Sequence, residues 1–295
     1  MKISILGRGA FGEAICQLLS ENGFKPTFAD KGQYIQDGAD VVFLCVPLQS
    51  LREALEFNKE KFLSETIFVN CSKGIEKKTL KLPFEIVEEI VGRKKYCSLA
   101  GLSFAEEIKN ERPTIVSLGC EDGVVAETIK KIIQTPYFEV ETTKYFQAVE
   151  LAGAIKNVYA ILCGFSDGLG FGSNTKSKIV ISAVKEYEML AEKMGFKYET
   201  LALPGIIGDF VLTCVSPQSR NYKFGLNLSK MSPAEALKNS GTTIEGYQTN
   251  FSLGLLAEKH NIRPDWAFLA DFVIEKGVGV KDFFAGKVAT KIDSV

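Results

Sequence analysis

A lysine inside an apolar segment is the first chemically unusual feature of this sequence. Lys156 lies in ELAGAIKNVYAILCGF (150–165), which reads as a helix, and the positions one turn away offer no carboxylate. Asp209 is likewise a charged residue in an apolar helix, GDFVLTC, where burying an unpaired carboxylate would be costly in free energy. We therefore predict that Lys156 and Asp209 pair, and Thr213, four residues after Asp209, shares its helix face.

A hydroxyl, a guanidinium and an amide follow in the turn Ser219-Arg220-Asn221. Arginine can donate two parallel hydrogen bonds to phosphate oxygens, so this trio suits a phosphate group. Taken alone, the triplet also fits an ordinary surface turn.

A glycine-rich motif, ILGRGAFGEA, comes directly after the first predicted strand. Gly7, Gly9 and Gly12 form G-x-G-x-x-G, which permits a tight turn, a close approach of a pyrophosphate and packing of the first helix. Asp30 ends the second predicted strand, where it could hold a ribose diol, and its charge favours NAD over NADP. Only about ten residues separate Asp30 from the strand near Val41, so the adenosine side of the pocket is predicted to be abbreviated.

Further polar residues follow other predicted strands. Lys73, in NCSKGIE, could project over the cofactor, although a solvated loop lysine is the plain alternative. Ser103 could cap the helix FAEEI, with Glu106 completing a capping box. Glu245, in GTTIEG, also fits a helix-capping role.

The elements that must position these residues change in type along the chain. Short apolar strands such as KISIL, ADVVFLCVP and TIFVNCS alternate with amphipathic helices in the first half. This alternation predicts a doubly wound (Rossmann) α/β domain over residues 1–148. Long helical periods without a clear strand predict an all-helical domain over residues 149–295, with a ligand site between the two.

Composition excludes several classes of function. A net charge of −1 over 295 residues gives no electrostatic reason to expect nucleic acid or an anionic membrane as partner. We expect no membrane span and no secretory signal. Seven cysteines without a CxxC pair predict thiols in a reducing cytoplasm, and His260, the lone histidine, disfavours a metal site or a Ser-His-Asp triad. The oligomeric state is left open, a homodimer included.

Taken together, these stretches resemble the NAD(P)-dependent glycerol-3-phosphate dehydrogenase family. The matching segments, in the family's order, are GRGAFGEA, CSKGIE, AGLSFAEEI, ELAGAIKNVYAI, DGLGFGSNTKSKI, GDFVLTC, SRNYKFG and IEGYQT. The resemblance implies reversible reduction of dihydroxyacetone phosphate to sn-glycerol 3-phosphate with NAD or NADP, which supplies glycerophospholipid synthesis.

The resemblance also implies roles for individual residues. Lys156, with Asp209, would be catalytic. The implied substrate contacts are Lys73, Gly101, Ser103, Asp209, Thr213, Ser219, Arg220 and Asn221. The implied cofactor contacts are Gly7, Gly9, Ala10, Phe11, Gly12, Asp30, Lys73, Ala105, Arg220, Thr243 and Glu245.

Two departures from the family pattern and two rival functions remain. The family usually has SGPSFA where this chain has AGLSFA, and the segment after Asp30 is short. A two-domain dehydrogenase of a β-keto or hydroxy acid would need a similar glycine motif and helix lysine, but a carboxylate clamp. A dinucleotide-binding sensor would bind NADH without turnover.

Overall fold

The computed structural model describes residues 1–92 and 94–262, together with residues 270 and 274. A seven-stranded sheet in the order β2-β1-β3-β4-β5-β6-β7 forms the first half, and every neighbouring pair is parallel except β5 and β6. The strands β1 to β7 are Ile3–Leu6, Thr27–Ala29, Val41–Leu44, Ile67–Asn70, Lys95–Leu102, Thr114–Cys120 and Phe138–Thr143. The predicted mostly parallel α/β sheet is therefore confirmed.

Helices cover both faces of this sheet and form the second half of the described chain. Those of the first half, α1 to α5, are Ala10–Glu21, Leu48–Asn58, Pro83–Val91, Ala105–Lys109 and Gly123–Ile133. Those of the second half, α6 to α11, are Phe146–Gly168, Ser173–Lys193, Asp209–Val215, Arg220–Leu228, Pro233–Ser240 and Glu245–Lys259. Two apolar clusters fill the space between helices and sheet, one on each face, because strands such as β1 and β3 are buried throughout.

Helix α6 organises the second half. It is 23 residues long and contacts α7, α8, α9 and α11, as well as β5 and β6 of the sheet. By length and composition it alone among the helices of the described ranges could cross a bilayer, but that apolar stretch is wholly buried inside the protein, as in a core helix. Its first residue, Phe146, precedes the predicted domain boundary at residue 148, so the boundary falls in the first turn of α6.

The connection from β2 to β3 contains no helix and no strand, as the short spacing after Asp30 predicted. Beyond β7 the part of the chain that the structure describes has helices and turns and no strand, in agreement with the predicted helical second half. All seven cysteines are free thiols, and five of them are buried. His260 is half-buried at the C-terminal cap of α11.

Candidate active site

The glycine motif forms a tight turn with open space beside the start of α1. Gly7 has a φ of +105°, and a Cβ there would lie 2.9 Å from the Cys45 carbonyl carbon. A Cβ on Gly12 would lie 2.2 Å from the Gly7 carbonyl oxygen, whereas one on Gly9 would meet nothing within 4 Å. No side chain of the described residues caps α1, so within that part of the chain its first N–H groups are free for an anion at the open Gly9 position.

A cleft of about 1000 Å³ runs from this turn to the helices of the second half. Sixteen of the predicted site residues line it: Gly7, Gly9, Ala10, Phe11, Asp30, Lys73, Gly101, Ser103, Ala105, Lys156, Asp209, Thr213, Ser219, Arg220, Asn221 and Glu245. Gly12 lies behind the turn, and Thr243 lies beside the wall, to which Thr242 contributes instead. One continuous cleft thus joins the motifs that sequence reasoning treated separately.

The predicted pairing of Lys156 with Asp209 is confirmed. The Lys156 ammonium donates to Asp209 Oδ1 and, over 3.0 Å, to Thr213 Oγ1. Thr213 also donates to Asp209 Oδ1 over 3.3 Å, so α6 and α8 are joined by three mutually bonded side chains. Lys156 is only 6% exposed and Asp209 1%, so this pair is held away from bulk water at the wall of the cleft.

A second lysine reaches the same carboxylate. Lys73 Nζ lies 3.4 Å from Asp209 Oδ2, and its side chain is 17% exposed. Its stem crosses α6 at Gly153, where an added Cβ would lie 3.6 Å from Lys73 Cγ. Asp209 is therefore shared between a lysine from the sheet edge and a lysine from the central helix.

The two lysines differ in acidity. Burial, helped by the like charge of Lys73, lowers the pKa of Lys156 to about 8, against the opposing pull of Asp209. Burial also acts to lower the pKa of Lys73, but the Asp209 and Glu245 carboxylates outweigh it and raise that pKa above its ordinary value. Lys156 can exchange a proton near neutral pH, while Lys73 stays a cation.

The Ser-Arg-Asn turn forms the N-terminus of α9. Ser219 is the N-cap and its hydroxyl accepts from the Tyr222 N–H over 3.3 Å, while Arg220 is exposed in the first turn. The Asn221 amide is buried and already engaged, since it donates to Asn157 Oδ1 and accepts from the Gly246 N–H. The serine and arginine, with the free N–H groups of the helix end, are thus the part of this turn that can meet an anion.

Sequence reasoning missed Asn157, which is 3% exposed and lines the cleft. Its amide nitrogen donates to Glu245 Oε2 over 3.1 Å, so it ties α6 to the first residue of α11. Its position directly after Lys156 could have indicated a site residue, because a second polar side chain in an apolar helix also needs hydrogen-bond partners.

The predicted capping box at Ser103 is wrong. Helix α4 starts at Ala105, its N-cap is Phe104, and the Ser103 hydroxyl donates back to the Gly101 carbonyl over 3.2 Å. Strand β5 continues through Leu102, so the helix begins too late for Ser103 to cap it. The hydroxyl remains at the wall of the cleft.

The Asp30 carboxylate lies at the far end of the cleft. Its Oδ1 accepts from the Arg8 N–H over 2.8 Å, which fixes it beside the glycine turn. The nearby cations each have an acidic neighbour, because Arg8 lies 3.8 Å from Glu13 and Lys31 lies 3.4 Å from Glu53. Both pairs are largely exposed to solvent, so each is a weak interaction.

Comparisons with known proteins agree with this geometry. The family model described as NAD-dependent glycerol-3-phosphate dehydrogenase N-terminus matches residues 28–126, and the C-terminus model matches residues 146–284. A glycerol-3-phosphate dehydrogenase [NAD(P)+] of Maridesulfovibrio salexigens is 33% identical over 88% of this chain and 89% of its own length. That of Ectopseudomonas mendocina is 34% identical over 87% of this chain and 85% of its own.

A solved structure shares the whole architecture. The glycerol-3-phosphate dehydrogenase of Coxiella burnetii superposes with a TM-score of 0.89 and 27% identity, covering 94% of this chain and 95% of that one. The resemblance inferred from the motifs is confirmed: the chain belongs to the NAD-dependent glycerol-3-phosphate dehydrogenase family.

Proposed function

We propose that this protein is an enzyme that reversibly reduces dihydroxyacetone phosphate to sn-glycerol 3-phosphate with a nicotinamide dinucleotide. The observation that carries the proposal is the buried Lys156–Asp209–Thr213 group in the same cleft as the glycine turn and the N-terminus of α9. Such a cleft offers a proton donor, a dinucleotide cradle and an anion site within one enclosure.

The residues of the glycine turn fit a dinucleotide. The open space at Gly9 and the uncapped start of α1 suit a pyrophosphate, and we propose that Asp30, which lies beside that turn, accepts from a ribose hydroxyl. When bound, the nicotinamide supplies the hydride that reaches the ketone carbon of the substrate. Further cofactor contacts are proposed for six residues of the cleft wall: Ala10, Phe11, Lys73, Ala105, Arg220 and Glu245. Gly12, behind the glycine turn, and Thr243, beside the wall, are also proposed as cofactor contacts.

Lys156 is proposed to act on the carbonyl oxygen of the substrate. Its ammonium donates a hydrogen bond and then a proton to the oxygen as negative charge develops there, and takes the proton back in the oxidation direction. Asp209 and Thr213 hold the ammonium in place. Lys73, which stays charged, stabilises the developing alkoxide without giving up its proton.

The phosphate of the substrate is proposed to bind at the start of α9. Ser219 and Arg220 with the free N–H groups of the first turn can meet its oxygens, and Asn221 braces that turn against α6 and α11. Gly101 and Ser103 complete the substrate wall from the sheet side.

The test is oxidation of NADH and of NADPH, measured separately, with dihydroxyacetone phosphate. We expect turnover, with NADH the better coenzyme, because Asp30 would repel a 2′-phosphate. Asp30→Asn should lower the KM for NADPH by about fivefold, since one exposed charge is worth about 1 kcal/mol at close range. Turnover of keto acids only, or NADH binding without turnover, would refute the proposed activity.

The pH profiles of the two directions should differ in sign. Reduction needs the protonated Lys156 and oxidation needs the neutral amine, and the pKa of this residue is about 8. The kcat/KM for reduction, which reports the pKa of the free enzyme, should therefore fall as the pH rises above about 8, while the kcat/KM for oxidation should rise up to about that pH and then level. Parallel profiles in both directions would contradict the proton-transfer role.

In the cell, the proposed product is a precursor of glycerophospholipids. A cytoplasmic location remains a prediction from the sequence, and the oligomeric state stays open, a homodimer included.

A further inference from the structure

Glu150 is a buried acid that the proposed chemistry does not use. It lies on α6, six residues before Lys156, and is 5% exposed. Its Oε1 accepts from the Asn70 amide over 2.9 Å and from the Tyr96 hydroxyl, and its Oε2 accepts from the Phe84 N–H over 3.1 Å. Each donor belongs to the sheet half of the molecule, so one side chain of the central helix is bonded to β4, β5 and α3.

The bond to Asn70 leads directly to the loop that carries Lys73. Asn70 is the last residue of β4, its Oδ1 accepts from the Ser72 N–H over 2.9 Å, and its Nδ2 donates to the Ser72 carbonyl over 3.0 Å. The same side chain thus fixes both peptide groups of Ser72 and contacts Glu150. Because Lys73 follows Ser72, the direction in which its side chain leaves the loop depends on where Asn70 is held.

Three residues of α6 that bear on this loop and its lysine are spaced three apart in the sequence. Gly153 is a helix neighbour of both Glu150 and Lys156, since residues three apart in a helix lie next to each other. Glu150 anchors the loop, Gly153 leaves room for the stem of Lys73, and Lys156 meets Asp209. The position of Lys73 relative to Lys156 therefore depends on contacts made by successive positions of α6.

We propose that Glu150 is a positioning residue that holds Lys73 against Asp209 and Lys156 through Asn70. The proposal rests on the proposed function for its kinetic consequence, but its geometric consequence can be measured without turnover. The competing role for Glu150 is purely structural: through the Phe84 N–H it binds the N-terminus of α3, where a carboxylate is favoured.

The first experiment measures the reactivity of Lys73 with an amine-selective reagent, by peptide mass spectrometry on the full chain. Glu150→Met keeps a similar side-chain length but removes both acceptor oxygens, and we expect labelling of Lys73 to rise at least about threefold because the loop is released. Tyr96→Phe is the matched control, since it removes one donor to the same oxygen without touching Asn70, and should label as the wild type does. Unchanged labelling in Glu150→Met, or an equal rise in Tyr96→Phe, overturns the proposal.

A milder pair of variants covers the case in which Glu150→Met does not fold. Glu150→Gln has one acceptor oxygen for two sets of donors, and Asn70→Asp turns the partner amide into an acceptor. In the double variant the side-chain nitrogen introduced by Glu150→Gln can donate to the carboxylate introduced by Asn70→Asp. This restores a hydrogen bond between the two positions, with donor and acceptor exchanged. The double variant should return Lys73 labelling toward the wild-type level from that of Asn70→Asp alone, and a double variant labelled as strongly as Asn70→Asp overturns the proposal.

The second experiment is a double-mutant cycle on kcat/KM for dihydroxyacetone phosphate. Glu150→Met should lower kcat/KM about tenfold in the wild-type background and should have almost no effect in a Lys73→Met background. A merely structural role predicts equal losses in both backgrounds, which would overturn the proposal. A wild type without turnover would refute the proposed function alone, because the labelling result decides the role of Glu150 independently.

Discussion

Replacing Lys156 by alanine should leave a folded protein whose kcat for dihydroxyacetone phosphate is about 10²- to 10⁴-fold lower, the usual worth of general acid–base help. The expectation follows from burial, since an ammonium that is 6% exposed acts on a developing alkoxide with little competition from water. Lys73 is a poorer substitute as proton donor, because the Asp209 and Glu245 carboxylates raise its pKa and make it the weaker acid. The measurement is steady-state kcat in both directions, with circular dichroism and Tm to verify folding.

Lys156→Met separates the charge from the packing, because methionine retains much of the stem and lacks the ammonium. We expect it to lose as much turnover as the alanine variant. Lys176→Met is the matched control: Lys176 also bonds a carboxylate, Asp167, at a site outside the cleft, and this variant should keep a near-normal kcat. A near-normal kcat in Lys156→Met would end the assignment of Lys156 as the proton donor.

The pairing of Lys156 with Asp209 could be predicted although 53 positions separate the two residues. Each lies in an apolar helix without a local partner, and the cost of burying either charge alone requires a distant one. The glycine turn was predictable for a different reason, because it is local: a strand, three glycines at fixed spacing and a helix determine its geometry together. The parallel sheet followed likewise from continuous apolar strands that alternate with helices.

Other features depended on contacts that no local pattern reports. Glu150 stands early in its helix, and its partners, an asparagine, a tyrosine and a backbone N–H, carry no opposite charge that would suggest a pair. Ser103 fitted a capping pattern, but the end of β5 is set by pairing with β6, which delays the helix by one residue. The pairing of β5 with β6 thus determined where the helix after Ser103 starts, against the local capping pattern. The contacts of Glu150 come from distant parts of the sequence and leave no local pattern.

Replacing Arg220 by alanine should raise the KM for dihydroxyacetone phosphate by about 10- to 100-fold and change the Kd for NADH far less. A hydrogen bond to a charged group is worth about 1.5–3 kcal/mol. An arginine at a helix N-terminus can donate two parallel hydrogen bonds to an anion that the free N–H groups of the helix already favour. The KM of Arg220→Lys should lie between those of the wild type and of Arg220→Ala, because an ammonium keeps the charge but cannot form two parallel hydrogen bonds. The measurement is KM in the reduction direction at constant ionic strength.

Dihydroxyacetone, which lacks the phosphate, isolates the contact. If Arg220 binds the phosphate, the wild type and Arg220→Ala should reduce dihydroxyacetone with equal kcat/KM, so the variant should abolish most of the preference for the phosphorylated substrate. Lys223→Ala is the matched control, since it removes an exposed cation from the same helix at a position outside the cleft, and it should leave both substrates unaffected. An unchanged KM for dihydroxyacetone phosphate in Arg220→Ala would remove Arg220 from the phosphate site and leave the N-terminus of α9 without its main cation. Equal losses with both ketones would instead leave Arg220 with its proposed cofactor contact alone, because only the dinucleotide is common to the two reactions.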